Sequence, residues 1–243
     1  MSFWDHLEEL RGVLFRSVLA LLGFTVLGLI FKNFLFDEII LAPTKSDFVI
    51  YSLLGWDFSI DLINVDLSAQ FFTHLKASVA VGFVLAFPFM IWEVWKFVLP
   101  ALYNNEKKAL RVVFLMASVL FYVGVAVGYF LVLPVCLRFF MTYTVSADVL
   151  NSITLSSYMS MFSSMVLLIG LVFEFPSIVF ALSRLGIVSR ELLRKGRRYA
   201  FVIILIISAF ITPADPVSMF VLAVPLYLLY ELSIFLCKSS ESL

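Results

Sequence analysis

Apolar residues run along this chain in long blocks, broken by short charged or proline-containing segments, rather than recurring at the 3.6-residue period of a helix half-buried in a soluble core. A membrane-crossing helix needs about 20 mainly apolar residues, and six blocks are candidates: 13–31, 77–99, 112–133, 158–183, 199–211 and 217–237. The fifth is short. At about 1.5 Å per residue its run reaches only about 20 Å, against a hydrocarbon core of about 30 Å. It is therefore expected to stop at half depth or to thin the bilayer beside it. The sixth is nearly as short if Glu231 marks its inner end. Ahead of the first block, 2–12 reads as an amphipathic helix: Phe3, Leu7, Leu10 and Leu14 share one face, and Asp5 and Glu9 lie a turn apart on the other. The segment 32–70 is too long for a plain connection, and its alternation at Phe58, Ile60 and Leu62 predicts a short strand or an edge lying on the membrane surface. A second, shorter polar loop is expected at about 134–157. There is no internal repeat of the kind that builds inverted-repeat transporters.

Composition sharpens this picture. Hydrophobic residues make up 63% of the chain and charged residues 14%, against roughly 45–50% and about 25% in soluble domains. A water-soluble core is excluded, and the fold class is an all-α polytopic membrane protein forming a single integral membrane domain, 1–243. A formal net charge of zero removes any case for a nucleic-acid binder. The distribution of cations sets orientation instead, because basic loops stay cytoplasmic. Of the 17 Lys and Arg, only Lys32, Lys45, Lys76 and Arg138 fall on one side of the six-span arrangement, and the rest fall on the other. Both termini are thus expected in the cytoplasm. The start carries acids before its first apolar run, unlike a cleavable signal or transit peptide, and is expected to be mature as written.

The polar residues that interrupt this pattern are the candidates for chemistry. Asp5 and Glu9 sit on a membrane face that the same rule makes basic, which suits a cationic partner. Glu106 lies beside Lys107 and Lys108 in the segment after the second block, and surface pairs worth about 0–1 kcal/mol yield easily to a better partner. Glu174 falls inside the fourth block two residues before Pro176. A mid-membrane acid costs about 2.5–3.5 kcal/mol on insertion scales and marks a functional position by default. The bland alternative is a protonated carboxyl bonded to the carbonyl that Pro176 leaves without a donor. The turn Thr212-Pro213-Ala214-Asp215-Pro216 is made rigid by its two prolines. The basic stretch 190–198 fixes topology most economically, and His74, Lys76, Glu93 and Glu231 read as interfacial anchors. Two histidines and two cysteines, Cys136 and Cys237, on opposite faces, supply neither a catalytic relay nor a multi-ligand metal site. No enzyme class, metal or cofactor is expected.

Taken together, His6-Leu7-Glu8-Glu9-Leu10-Arg11 before the first block, the segment 97–106, Phe173-Glu174-Phe175-Pro176 and Thr212-Pro213-Ala214-Asp215 resemble the TatC family, the polytopic core of twin-arginine protein translocases. The resemblance covers nearly the whole chain. It implies a glove-shaped, six-helix receptor in a bacterial cytoplasmic membrane. Such a receptor binds twin-arginine signal peptides of folded proteins, works with single-span TatA/TatB-type subunits and other copies of itself, and draws on the proton-motive force. Carried over, Glu9 and Glu106 meet the two signal-peptide arginines, while Arg11, Phe97, Pro100, Leu102 and Tyr103 shape the same cytoplasmic patch. Glu174 is the buried polar group of the concave face. Pro43 belongs to the outer cap, and Thr212, Asp215 and Met219 to the site where partner helices dock. Met219 stands where some relatives carry a Gln, with Ser218 and Thr212 the nearest polar substitutes. Two separated carboxylates reading adjacent guanidinium groups give specificity that Lys does not reproduce. The rival from another class is a proton-coupled small-solute transporter with Glu174 as the proton carrier.

Overall fold

The computed structural model describes residues 3–98, 107–146, 148, 151–184, 186–212 and 215–237. The architecture is all-helical apart from one two-residue pair of strands. Five helical stretches are long and apolar enough to cross a membrane: His6–Ile30, Ala69–Phe97, Val113–Thr142, Leu155–Arg184 and Pro216–Leu236. The block 199–211 is the apolar end of a longer helix, α9 (Arg190–Ile211), whose first turns carry Arg190, Arg194, Lys195, Arg197 and Arg198. Those cations keep it outside the set of five. The basic stretch is thus a helical extension of the short apolar run.

Several boundaries differ from the expected ones. The amphipathic segment and the first block form one uninterrupted helix, α1 (Phe3–Ile30), because Gly12 alone, with no proline or capping residue near it, does not break a helix. After a three-residue helical turn, α2 (Lys32–Phe34), and the cap helix α3 (Val49–Leu54) comes α4 (Ala69–Val98). It begins eight residues before the expected 77, since Ala69, Thr73 and Ala77 recur at one-turn spacing and are all buried. The third block runs from α5 (Lys107–Val127) through a π-helical turn, Gly128–Val132, into α6 (Leu133–Thr142). Pro134 was expected to open the second outer loop. The wider π turn ahead of it absorbs the missing amide, and Leu133, Cys136 and Leu137 bury completely beyond it. The fourth block divides into α7 (Leu155–Val172) and α8 (Phe175–Arg184), with Phe173 and Glu174 at the junction. The last helix is α10 (Pro216–Leu236).

Two glycine seams set the closest helix approaches, as expected where helices pack by van der Waals contact instead of a hydrophobic drive. Between α1 and α4, a Cβ on Gly28 would lie 3.1 Å from Ser78 Cα, and one on Gly82 would lie 2.8 Å from the backbone nitrogen of Thr25. Between α5 and α7, a Cβ on Gly124 would meet Phe173 Cβ at 2.7 Å.

The outer segment 32–70 folds into a cap that is mostly helical, where only a strand or edge was expected. A π-helical turn (Leu35–Ile40), a 3-10 turn (Ala42–Thr44) and α3 follow one another, and α3 ends at Gly55 in the left-handed conformation (φ 64°) that glycine adopts without strain. The strand is present only as β1 (Leu62–Ile63), which pairs in parallel with β2 (Ile153–Thr154), Leu62 opposite Ile153. Three tyrosine hydroxyls tie the cap together and to the bundle. Tyr51 donates to the Pro43 carbonyl at 2.7 Å, Tyr129 to the Ile39 carbonyl at 2.7 Å, and Tyr158 to the Ile40 carbonyl. Burial, with the Tyr129 phenol nearby, pushes the Tyr51 hydroxyl above its usual range and keeps it a donor. The Arg138 guanidinium lies 3.8 Å over the Trp56 ring, a further link from α6 to the cap.

Candidate functional site

The N-terminal end of α1 and the C-terminal end of α4 are placed together by their register. Four contacts follow one another in antiparallel order: Gly28 against Ser78, Gly82 against Thr25, Arg16 with Glu93, and His6 on Phe97. Helical spacing places His6, Glu9, Val13 and Arg16 on one face of α1, the face turned to α4. Val13 is buried and Glu9 half-buried. The apolar residues of the amphipathic pattern, Leu7, Leu10 and Leu14, are exposed on the opposite side. Glu9 is thus half-buried on the side of α1 that carries the buried Val13, while Leu7, Leu10 and Leu14 are left exposed.

His6 stacks on Phe97 with ring centroids 4.3 Å apart and planes inclined by 24°. Phe97 is half-buried in the last turn of α4, and Arg11 projects outward, exposed. The stack sets the first turns of α1, where Glu9 follows His6 by one turn, beside the last turn of α4, which carries Phe97. Pro100, Leu102, Tyr103 and Glu106 lie outside the described residues. Glu93, expected as an interfacial anchor, is instead buried, and its Oε2 accepts from Arg16 Nε at 2.6 Å. The clue in the sequence was an acid at the inner end of one apolar block opposite an arginine at the inner end of another. Glu231 pairs with Arg197 at 2.7 Å between α10 and α9, also more than an anchor.

Glu174 occupies the α7–α8 junction because Pro176 has no amide to continue the helix. The Glu174 amide bonds the Leu171 carbonyl at 3.1 Å in a tightened turn. Its carboxyl is 6% exposed. Oε2 accepts from the Ser177 hydroxyl, so the carboxyl is held by a side chain rather than by the carbonyl that Pro176 frees. Oε1 is buried with no hydrogen-bond partner among the described residues.

At the outer turn, Asp215 caps α10. Its Oδ1 accepts from the Ser218 amide at 2.7 Å, and its charge faces the positive end of the helix dipole. Thr212 is buried and donates to the Ser208 carbonyl at 2.9 Å, so its hydroxyl proton is already used within α9. Asp215 Oδ2 and the hydroxyls of Ser208 and Ser218 are buried without partners among the described residues. Met219 is half-buried on the first turn of α10. Pro213 and Ala214 lie outside the described residues. Cys136 and Cys237 are both buried free thiols, and no group of three metal-ligating side chains is found among the described residues.

Residues 5–225 match the family described as TatC, Sec-independent protein translocase protein. Among similar curated proteins, the Sec-independent protein translocase protein TatC of Blattabacterium sp. subsp. Periplaneta americana is 36% identical over 97% of this chain and 94% of its own length. That of Desulforapulum autotrophicum is 38% identical over 96% of this chain and 82% of its own. Two crystal structures of the twin arginine translocase receptor TatC, one of them in DDM, superpose with TM-scores of 0.78 and 0.81, each at 33% identity. They cover 95% and 96% of this chain, and 97% and 99% of theirs.

Proposed function

The chain belongs to the TatC family of Sec-independent protein translocase proteins, and on that premise we propose that it binds twin-arginine signal peptides of folded cargo at the cytoplasmic end of α1 and α4. It is a translocase receptor component and not an enzyme. In this reading Glu9 and Glu106 take one guanidinium each, by charge-assisted and bidentate hydrogen bonds. Arg11 sets the local charge, and Phe97, Pro100, Leu102 and Tyr103 provide the apolar floor. The observation that supports the proposal is the stack of His6 on Phe97, which joins the turn of α1 that leads to Glu9 to the last turn of α4.

The full arrangement we propose is a single membrane domain over 1–243 with six spans. The apolar end of α9 is the short fifth span, and both termini lie in the cytoplasm of a bacterial cell. The asymmetric distribution of Lys and Arg supports this orientation. Single-span TatA/TatB-type subunits would dock at Thr212, Asp215 and Met219, with Pro43 in the cap above the concave face and Glu174 within it. The proton-motive force would drive the assembled complex, in which this chain is present in several copies. Family membership leaves no observation that favours a solute transporter.

Export of a folded reporter carrying an Arg-Arg signal tests this reading. Glu9→Gln with Glu106→Gln should abolish export while the protein remains inserted. Undiminished export by the inserted double variant would overturn the proposed site.

A further inference from the structure

The Arg16–Glu93 pair sits two turns deeper than the patch just described, and nothing in the recognition scheme uses it. Its geometry is unusual for an ion pair near a membrane surface. The Glu93 side chain is 6% exposed and that of Arg16 is 45% exposed, so a carboxylate is committed to the helix interface with one guanidinium nitrogen, Nε, directed at it from 2.6 Å. A carboxylate stranded in this position would be far more costly than the bound pair, because a buried charge that loses its partner has no water to replace it.

The position along the helices matters as much as the chemistry. On α1, Glu9 lies between two anchors on the same face, the His6 stack on Phe97 one turn toward the cytoplasm and Arg16 two turns toward the membrane centre. On α4, Glu93 is one turn from Phe97. The glycine contacts that lock the outer parts of the two helices, at Gly28 and Gly82, are remote from this end. The His6–Phe97 stack and the Arg16–Glu93 pair link the two helices at this end, and Arg16–Glu93 is the one that does not itself belong to the patch.

We propose that Arg16 and Glu93 are positioning residues for signal-peptide recognition. Their pair is a clasp that fixes the rotation and spacing of the α1 and α4 inner ends, and so holds Glu9 in register with the last turn of α4, where the apolar floor of the patch begins at Phe97. The inference rests on the receptor reading above and extends it to residues that do not touch the peptide. Removing the Arg16 guanidinium leaves the buried Glu93 carboxylate uncompensated between the helices, and the inner ends part to hydrate it; removing the Glu93 charge lets the half-exposed Arg16 turn to water, and the link is lost. Replacing both with amides leaves no charge to hydrate, and two glutamine side chains can hydrogen-bond across the same gap.

The test uses the full chain in native-composition vesicles, with a fluorescent Arg-Arg signal peptide and its Lys-Lys counterpart as probes. Folded protein is quantified in each variant by its cooperative thermal transition, followed by intrinsic fluorescence. Per folded molecule, Glu93→Gln and Arg16→Gln should each weaken Arg-Arg binding by about tenfold, a factor equal to roughly 1.4 kcal/mol, and narrow the Arg-Arg to Lys-Lys ratio. The double variant Arg16→Gln/Glu93→Gln should recover most of both. Single variants that bind the Arg-Arg peptide with unchanged affinity per folded molecule would overturn the clasp, as would a double variant no better than the singles. If a single variant lacks that transition, the double variant and Arg16→Lys decide the question, and loss of binding in Arg16→Gln/Glu93→Gln with the transition intact would refute it. A wild-type protein that does not distinguish the two peptides would instead remove the receptor reading itself.

Discussion

Gly124 sets the distance between α5 and α7 immediately beside the Glu174 junction, and replacing it with alanine offers a direct measure of how closely these helices depend on one another. The added Cβ would lie 2.7 Å from both Cβ and Cγ of Phe173 and 2.9 Å from the Cα of Gly170. Carbon atoms in contact prefer about 3.5–4.0 Å, so relief requires the helices to separate by roughly 0.8 Å. Two of the three obstructing atoms belong to backbone or to the root of a side chain, and no rotamer change moves them. Overpacking of this kind costs about 1–3 kcal/mol. Alanine also favours a helix over glycine by about 0.8–1.0 kcal/mol, and the comparison must cancel that gain. Gly23→Ala does so, since its Cβ would meet nothing within 4 Å. The difference between the two variants is then the packing cost alone. With about 2–4 °C per kcal/mol for a chain of this size, Gly124→Ala should melt roughly 2–12 °C below Gly23→Ala in detergent micelles, followed by intrinsic fluorescence. Equal midpoints would refute the claim that α5 and α7 meet at a seam with no room for a methyl group.

Further consequences follow from the same geometry. Asp215→Ala removes the α10 cap and should lower stability by about 0.5–2 kcal/mol, whereas Asp215→Asn should retain most of it; hydrogen exchange at the Ser218 amide separates the two, and equal exchange would count against capping. Tyr51→Phe deletes the donor to the Pro43 carbonyl and leaves that buried acceptor unpaired at a cost of about 1–3 kcal/mol; limited proteolysis within 32–70 should quicken, and unchanged cleavage would show that the cap does not depend on this bond. Glu174→Gln keeps the shape at the α7–α8 junction but cannot carry a charge. Signal-peptide affinity should stay within about threefold, a difference under 1 kcal/mol, while export falls; a parallel loss of affinity would place Glu174 in the recognition patch.

How far the sequence carried the fold varies with the physics of each segment. Block length and hydropathy located five helical stretches long and apolar enough to cross a membrane, because the bilayer imposes its thickness on the chain, while the block 199–211 is the apolar end of the longer, partly basic α9. Helix ends were harder, because a membrane helix continues into the headgroup region without a change in composition. Thus α4 starts at Ala69, and α5 and α6 run past Pro134 to Thr142, through a π turn that no pattern of apolar residues encodes. The alternation at Phe58, Ile60 and Leu62 pointed to a short strand, present as β1, but is local and says nothing of the helical turns in the rest of the cap. Its helical turns are instead held by long-range bonds from Tyr129 and Tyr158. At the inner site, Glu9 was legible as an acid on the wrong side of the charge rule. The pairing of Arg16 with Glu93 depends on the register between two helices 77 positions apart in sequence, and a single chain read along its length does not reveal register.

The central claim, recognition of an arginine pair at the inner end of α1 and α4, is tested most directly by photo-crosslinking. A signal peptide carrying a photoreactive group beside its Arg-Arg pair is irradiated with membranes containing the protein, and the adducts are mapped by mass spectrometry against a Lys-Lys control. The account predicts adducts clustered around Glu9 and Phe97 with the Arg-Arg peptide, lost with Lys-Lys. Labelling that is equal for the two peptides, or confined to other parts of the protein, would contradict it.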